Sequence, residues 1–195
     1  DFIFAINKNL GSFREIKGLI NEISINSGSL DYKSLENLEV NMNFESKLNL
    51  NNEELNQLLG KLNVNYPLKS NISLQGKSKH ELNVILDKTL QISSYDYFLN
   101  LENSNLNLNF KDKFILPFFR ESIRNITFND TKIELKLNSK NKNQFLAQGK
   151  YNINEKKIFN SFNISNNFTN KNSKIGAEVE ISEPINIEFL NYFKP

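Results

Sequence analysis

Alternation with a period of two runs through most of this chain, and it restricts the possible folds more than any other feature. Phe2, Phe4 and Ile6 are spaced this way, as are Ile23 and Ile25, then Val40, Met42 and Phe44, then Leu48 and Leu50. The pattern continues through Ile72 and Leu74, Leu82 and Val84, Leu90 and Ile92, and Leu106, Leu108 and Phe110. It then passes through Ile133, Leu135 and Leu137, the run Phe145, Ala147, Gly149, Tyr151 and Ile153, then Phe162 and Ile164, and finally Ile175, Ala177, Val179 and Ile181. Successive side chains of a strand point to opposite faces, so this spacing predicts strands with one apolar face and one face of Asn, Ser and Lys. About a dozen such runs, recurring at intervals of about 8 to 14 residues, leave no room for the crossovers that parallel strands require. The fold class expected is mostly β: an antiparallel meander forming a curved sheet or groove.

Three stretches carry helical spacing instead. Asn52 as a cap, Glu53 and Glu54 in a first turn, the stripe Leu55, Leu58 and Leu59, and Gly60 as a stop predict one short amphipathic helix. Pro117 at a first helical position, with Leu116, Phe118, Phe119 and Ile123 as the apolar side, predicts a second. Pro184 ahead of Ile185, Phe189, Leu190 and Phe193 predicts a third. Two or three short helices recurring about every 60 to 70 residues suggest a degenerate repeat of several strands plus one helix over residues 1–195. The chain begins on Asp1 within a strand-like run, which reads as a segment of a longer polypeptide whose targeting or anchoring parts lie elsewhere.

Composition narrows the function. The hydrophobic fraction is 38%, with 16 Phe among it, and its periodic placement is unlike that of disordered chains. The net charge of +2 is spread with both signs interspersed, so no basic stripe suited to nucleic acid exists. The lone histidine, His80, lies in the polar stretch from Gly76 to His80, which reads as a solvated turn, and the chain has no Cys. That leaves no nucleophile–base pair, no metal site and no cofactor site. The adjacent acids Glu53 and Glu54 diverge by about 100° on a helix and serve as first-turn acids rather than as a catalytic pair. Neither a phosphate loop nor a nucleophile elbow occurs, so the reading is non-enzymatic. Lys136, Lys140 and Lys142 surround a hairpin-like stretch and read as solvated.

The stretch Asn26 to Tyr32, then Lys47 to Leu59, then Ile72 to Lys77, with the closing run Glu178 to Ile185, resembles the AsmA/TamB-like envelope proteins of Gram-negative bacteria. In that family short strands repeat into long β-grooves. The resemblance implies a periplasmic segment of an inner-membrane-anchored protein, in which an apolar inner face carries phospholipid acyl chains and contributes to lipid transport or outer-membrane biogenesis. Envelope assembly proteins are then the expected protein partners, and the membrane anchor is expected outside the segment. Alternation selects Met42, Phe44, Leu106, Leu108, Phe110, Leu135, Leu137 and Val179 as candidate lipid-lining positions. The alternative is a structural or adhesive β-sandwich of a secreted surface protein, with its apolar faces closed on each other.

Overall fold

The structure, a computed structural model, describes residues 2–20, 23–54, 57, 70–114, 121–182, 184–187 and 192–194. Thirteen strands follow in chain order: β1 (Ile3–Ile6), β2 (Leu10–Arg14), β3 (Gly18–Ile20), β4 (Ile23–Ser34), β5 (Leu38–Leu50), β6 (Ser70–Leu86), β7 (Ile92–Phe114), β8 (Ile123–Asn138), β9 (Asn143–Ile153), β10 (Asn160–Phe168), β11 (Ser173–Val179), β12 (Ile185–Ile187) and β13 (Tyr192–Lys194). The first eleven form one sheet in the order β1-β2-β4-β5-β6-β7-β8-β9-β10-β11, with β3 paired to β4. Every pairing is antiparallel, so the expected meander is what the chain builds.

Register explains why alternation in the sequence becomes one continuous face. Residues directly opposite one another in an antiparallel pair project to the same side. Leu30, Met42, Leu82, Tyr97 and Leu137 line up across five strands. One step along, Gly28, Phe44, His80, Leu99, Leu135 and Phe145 do the same. Nearer the other end, Leu50, Leu74, Leu106, Phe128 and Tyr151 form a third row. The intervening rows are polar, for example Asp31, Asn41, Asn83, Asp96 and Asn138.

The rows are interrupted along a line crossing the sheet. The register shifts between Ile25 and Ser27, between Gln75 and Lys77, between Leu101 and Leu106, and between Asn129 and Lys132. Small residues occupy this crease. Ser104 is wholly buried, and its hydroxyl donates to the Thr131 carbonyl at 2.8 Å. A Cβ on Gly76 would lie 2.8 Å from Leu101 Cδ1, and one on Gly149 would lie 2.9 Å from Thr131 Cα, so the neighbouring strand leaves no room for a side chain. Bulges bend a strand and raise its twist locally, and the small residues let adjacent backbones close up where that happens.

Deep burial is concentrated on one side of the crease. Ile123, Ala147, Tyr151, Ile153 and Phe162 form one cluster, and Leu50 and Ile72 form another. Tyr151 also donates its hydroxyl to the Glu180 carbonyl at 2.6 Å, which fastens the chain beyond β11 to the sheet.

The expected helices fare differently. At the first, residues 52–54 and 57 are helical, with the expected Leu55, Leu58, Leu59 and Gly60 outside the described residues, but the cap is Asn51 and not Asn52. The Asn51 side-chain oxygen accepts from the Glu53 and Glu54 amides at 2.9 and 3.1 Å, and a Glu54 carboxylate oxygen accepts from the Asn51 amide at 2.8 Å. This reciprocal capping box needs its acid three residues after the cap, a spacing that Glu54 supplies only for Asn51. The Asn52 side chain instead accepts from the Ile72 amide at 3.1 Å, tying the turn to β6. Residues 116–119 of the second helix lie outside the described residues, and Ile123, read as part of its apolar side, opens β8. The third is a correction: Ile185–Ile187 and Tyr192–Lys194 pair as an antiparallel hairpin, with Ile185 opposite Lys194. Ile-Asn-Ile alternates with β-branched residues, which suits a strand, and this local signal prevails over the i, i+4 coincidence of Ile185 and Phe189.

Candidate functional site

The eight positions selected by alternation all belong to the apolar face. Met42 and Leu137 share one row, Phe44 and Leu135 the next. Leu106 pairs with Phe128 and Leu108 with Ile126, while Val179 pairs with Phe162. They do not share one environment. Leu106 and Leu108 pack on the Leu50–Ile72 cluster, and Phe110 packs on the Ile123 cluster. Val179 lies on the outermost strand and is 45% exposed. Met42, Phe44, Leu135 and Leu137 sit on the far side of the crease, where the apolar face is only half-buried. Leu30, Val40, Leu82, Val84 and Leu99 are half-buried with them, so an apolar strip spanning β4 to β8 remains partly open.

Within that strip lies a polar group that the sequence reading placed elsewhere. His80 is not in a solvated turn: it is in the middle of β6, half-buried, between Phe44 on β5 and Leu99 on β7. Pairing on both sides holds Gly76 to His80 extended despite its turn-like composition, because tertiary pairing outweighs local propensity. The imidazole stacks on the Phe44 ring at 4.2 Å between centroids and 9° between planes. Its Nδ1 meets the Tyr97 hydroxyl at 2.9 Å, and its Nε2 meets the Ser78 hydroxyl at 2.9 Å. Ser78 is in turn hydrogen-bonded to the Ser46 hydroxyl, and both serines are almost wholly buried. Burial pushes the His80 pKa below its ordinary value and the Tyr97 pKa above its own, so both side chains are uncharged near neutrality.

The chain Ser46–Ser78–His80–Tyr97 has a direction that can be worked out. Three hydroxyls and one neutral imidazole bring four hydrogens to three links, so one hydrogen is left over. Were it on Ser46 or Ser78, a hydroxyl no more than 2% exposed would point its hydrogen at no other acceptor among the described residues, a loss of about 1–3 kcal/mol. Run the other way, Ser46 donates to Ser78, Ser78 donates to Nε2, and Nδ1–H donates to the Tyr97 oxygen. The spare hydrogen then belongs to Tyr97, which is half-buried on the open strip. This second direction fixes the imidazole as the Nδ1–H tautomer.

A serine, a histidine and a tyrosine in line also resemble the parts of a nucleophilic site. Ser78, however, is 1% exposed and is hydrogen-bonded on both sides, so it offers no surface from which to attack a substrate. Among the described residues, no group of three or more His, Cys, Asp or Glu gathers to hold a metal ion, and no helix is long and apolar enough to cross a membrane.

Lys136 points to the polar side, where its ammonium lies 5.5 Å from the centre of the Phe98 ring, while Lys140 and Lys142 occupy the turn between β8 and β9. Comparison with known proteins adds no neighbour. The chain matches no protein-family model, no curated protein and no solved structure. The chemistry of the site therefore rests on its own residues: an uncharged, half-open apolar strip with one hydroxyl donor set into it.

Proposed function

We propose that this chain is a non-enzymatic β-groove module that shelters lipid acyl chains. The observation that carries the reading is the half-buried apolar strip around Met42, Phe44, Leu135 and Leu137 on a single sheet, with no second sheet packed on it among the described residues. An apolar surface of this kind favours long methylene chains. Each CH₂ removed from water contributes about 0.8 kcal/mol, so a dozen outweigh the cost of ordering the ligand while leaving it free to slide. The bulged crease bends the strands, which supports a curved sheet.

By its resemblance to the AsmA/TamB-like proteins, the module works in the periplasm of a Gram-negative bacterium. There it forms part of an inner-membrane-anchored envelope protein concerned with phospholipid transport or outer-membrane assembly. The sandwich alternative is disfavoured by the linear order of ten strands, with β3 beside β4, in one sheet, since a sandwich divides its strands between two facing sheets.

The test is native mass spectrometry of the chain purified from a Gram-negative host, with released lipids identified. Met42→Asp and Leu137→Asp serve as controls, since neither residue supports the Leu50–Ile72 cluster as Leu106 and Leu108 do. Phospholipid that accompanies the wild type and is lost from both variants, with circular dichroism unchanged, is the expected result. Lipid-free wild-type protein with native circular dichroism would refute the reading.

A further inference from the structure

Resting on the acyl-groove reading, we infer that the Tyr97 hydroxyl is a fixed hydrogen-bond donor for the carbonyl oxygen of an esterified acyl chain lying along the strip. The relay through Ser46, Ser78 and His80 ends on this hydroxyl, and in the direction argued from the proton count its hydrogen is the one that no link of the relay uses. Tyr97 shares its row with Leu30, Met42, Leu82 and Leu137, so an oxygen bound there lies between apolar surfaces that suit hydrocarbon.

The charge of the site selects the ester over the free acid. On the apolar face, Met42, Leu82, His80, Leu99, Leu135 and Leu137 surround Tyr97 by register, and none carries a cation at neutral pH. The nearby charged residues Glu81, Lys79 and Lys136 occupy the opposite face by register. A carboxylate entering the strip would shed its hydration for a single neutral donor and no positive partner, whereas an ester carbonyl needs one donor only. Tyr97 is thus a binding residue, and His80 is a positioning residue that orients it. The polar station also gives the strip a preferred ligand register, which an unbroken apolar surface lacks.

The experiment titrates the 195-residue chain with three pyrene-labelled probes of equal chain length: an alkane, the methyl ester of a fatty acid, and the free acid. Wild type is expected to bind the ester about tenfold tighter than the alkane, the increment of one good hydrogen bond, and to bind the free acid more weakly than the ester at pH 7.5. Tyr97→Phe is expected to bring the ester down to the alkane's affinity while leaving the alkane within twofold of its wild-type value. The retained alkane affinity shows that the variant still folds. Equal losses for ester and alkane, or an unchanged ester preference, would overturn the role of Tyr97 while leaving the groove standing. A free acid bound more tightly than the ester would overturn the choice of ligand. A wild type that binds none of the three sinks the groove reading and this inference with it.

Discussion

Gly149 on β9 gives the sharpest test of the crease. Its replacement by alanine adds a single methyl group, which normally helps a strand: glycine loses more backbone freedom on folding, so Gly→Ala contributes about 0.5–1 kcal/mol where there is space. Here the new Cβ would stand 2.9 Å from Thr131 Cα and 3.2 Å from the Asn129 carbonyl oxygen, with Thr131 Oγ1 at 3.1 Å. Two of these three atoms are backbone, in a bulge where Asp130 already holds φ at 50°, so no side-chain rotation relieves the overlap. Overpacking of this kind costs about 1–3 kcal/mol, more than the entropic gain, and a net loss of about 1–2 kcal/mol follows. Gly18→Ala is the matched control, because a Cβ there meets nothing within 4 Å. Urea denaturation followed by circular dichroism measures both. With a slope of about 2 kcal/mol per molar, Gly149→Ala lowers the midpoint by about 0.5–1 M and Gly18→Ala raises it by about 0.2–0.5 M. A Gly149→Ala midpoint at or above wild type would refute the close approach of β8 and β9; equal losses in both variants would show that glycine is needed for reasons other than space.

Two further outcomes follow from the site and its turns. Burial lowers the folded His80 pKa below its ordinary 6.5, so the unfolded chain takes up a proton first as the pH falls. Stability is therefore full above about pH 6.5 and declines from there toward pH 5, and His80→Gln flattens that segment of a stability-against-pH curve; a wild-type curve already flat between pH 7.5 and 5 would contradict the burial of the imidazole. Leu90 sits at φ 61° in the turn between β6 and β7 with 68% of its surface exposed, so Leu90→Gly raises the thermal midpoint by the equivalent of about 1 kcal/mol, and a fall would show that the leucine side chain has a packing role.

Much of the fold was readable because period-two spacing survives any reasonable composition. Met42, Phe44, Leu135 and Leu137 were chosen on alternation alone, and register sets them on two adjacent rows. What was not readable depends on partners distant in sequence. Gly76 to His80 looks like a turn until β5 and β7 pair with it, and Ser46 and Tyr97 join His80 only through that pairing. The alternation of Ser78, His80 and Leu82 was the available signal, obscured by the charged Lys79 and Glu81 between them. Leu90 was read as part of an alternating strand, but the Asp87 carboxylate accepts from the Thr89 and Gln91 amides and from the Thr89 hydroxyl, closing a turn there instead. Asn51 and Asn52 are indistinguishable as cap candidates until the position of Glu54 is weighed, and Ile185 to Phe193 fits both periods until pairing decides.

The outer strands of the sheet have a consequence for how such an assembly can be extended. With β3 off the main order, ten strands run from β1 to β11, so the two edges point in opposite directions while presenting the same apolar side. β11 is exposed along its whole length, with Ile175 69% exposed, and it contains no proline to block pairing. A strand added at either margin therefore continues the up-and-down order without turning the oily side over, and each addition widens the surface by about 4.8 Å. Width is thus a matter of strand number alone, whereas a register slip of one residue would set a polar stripe into the apolar face.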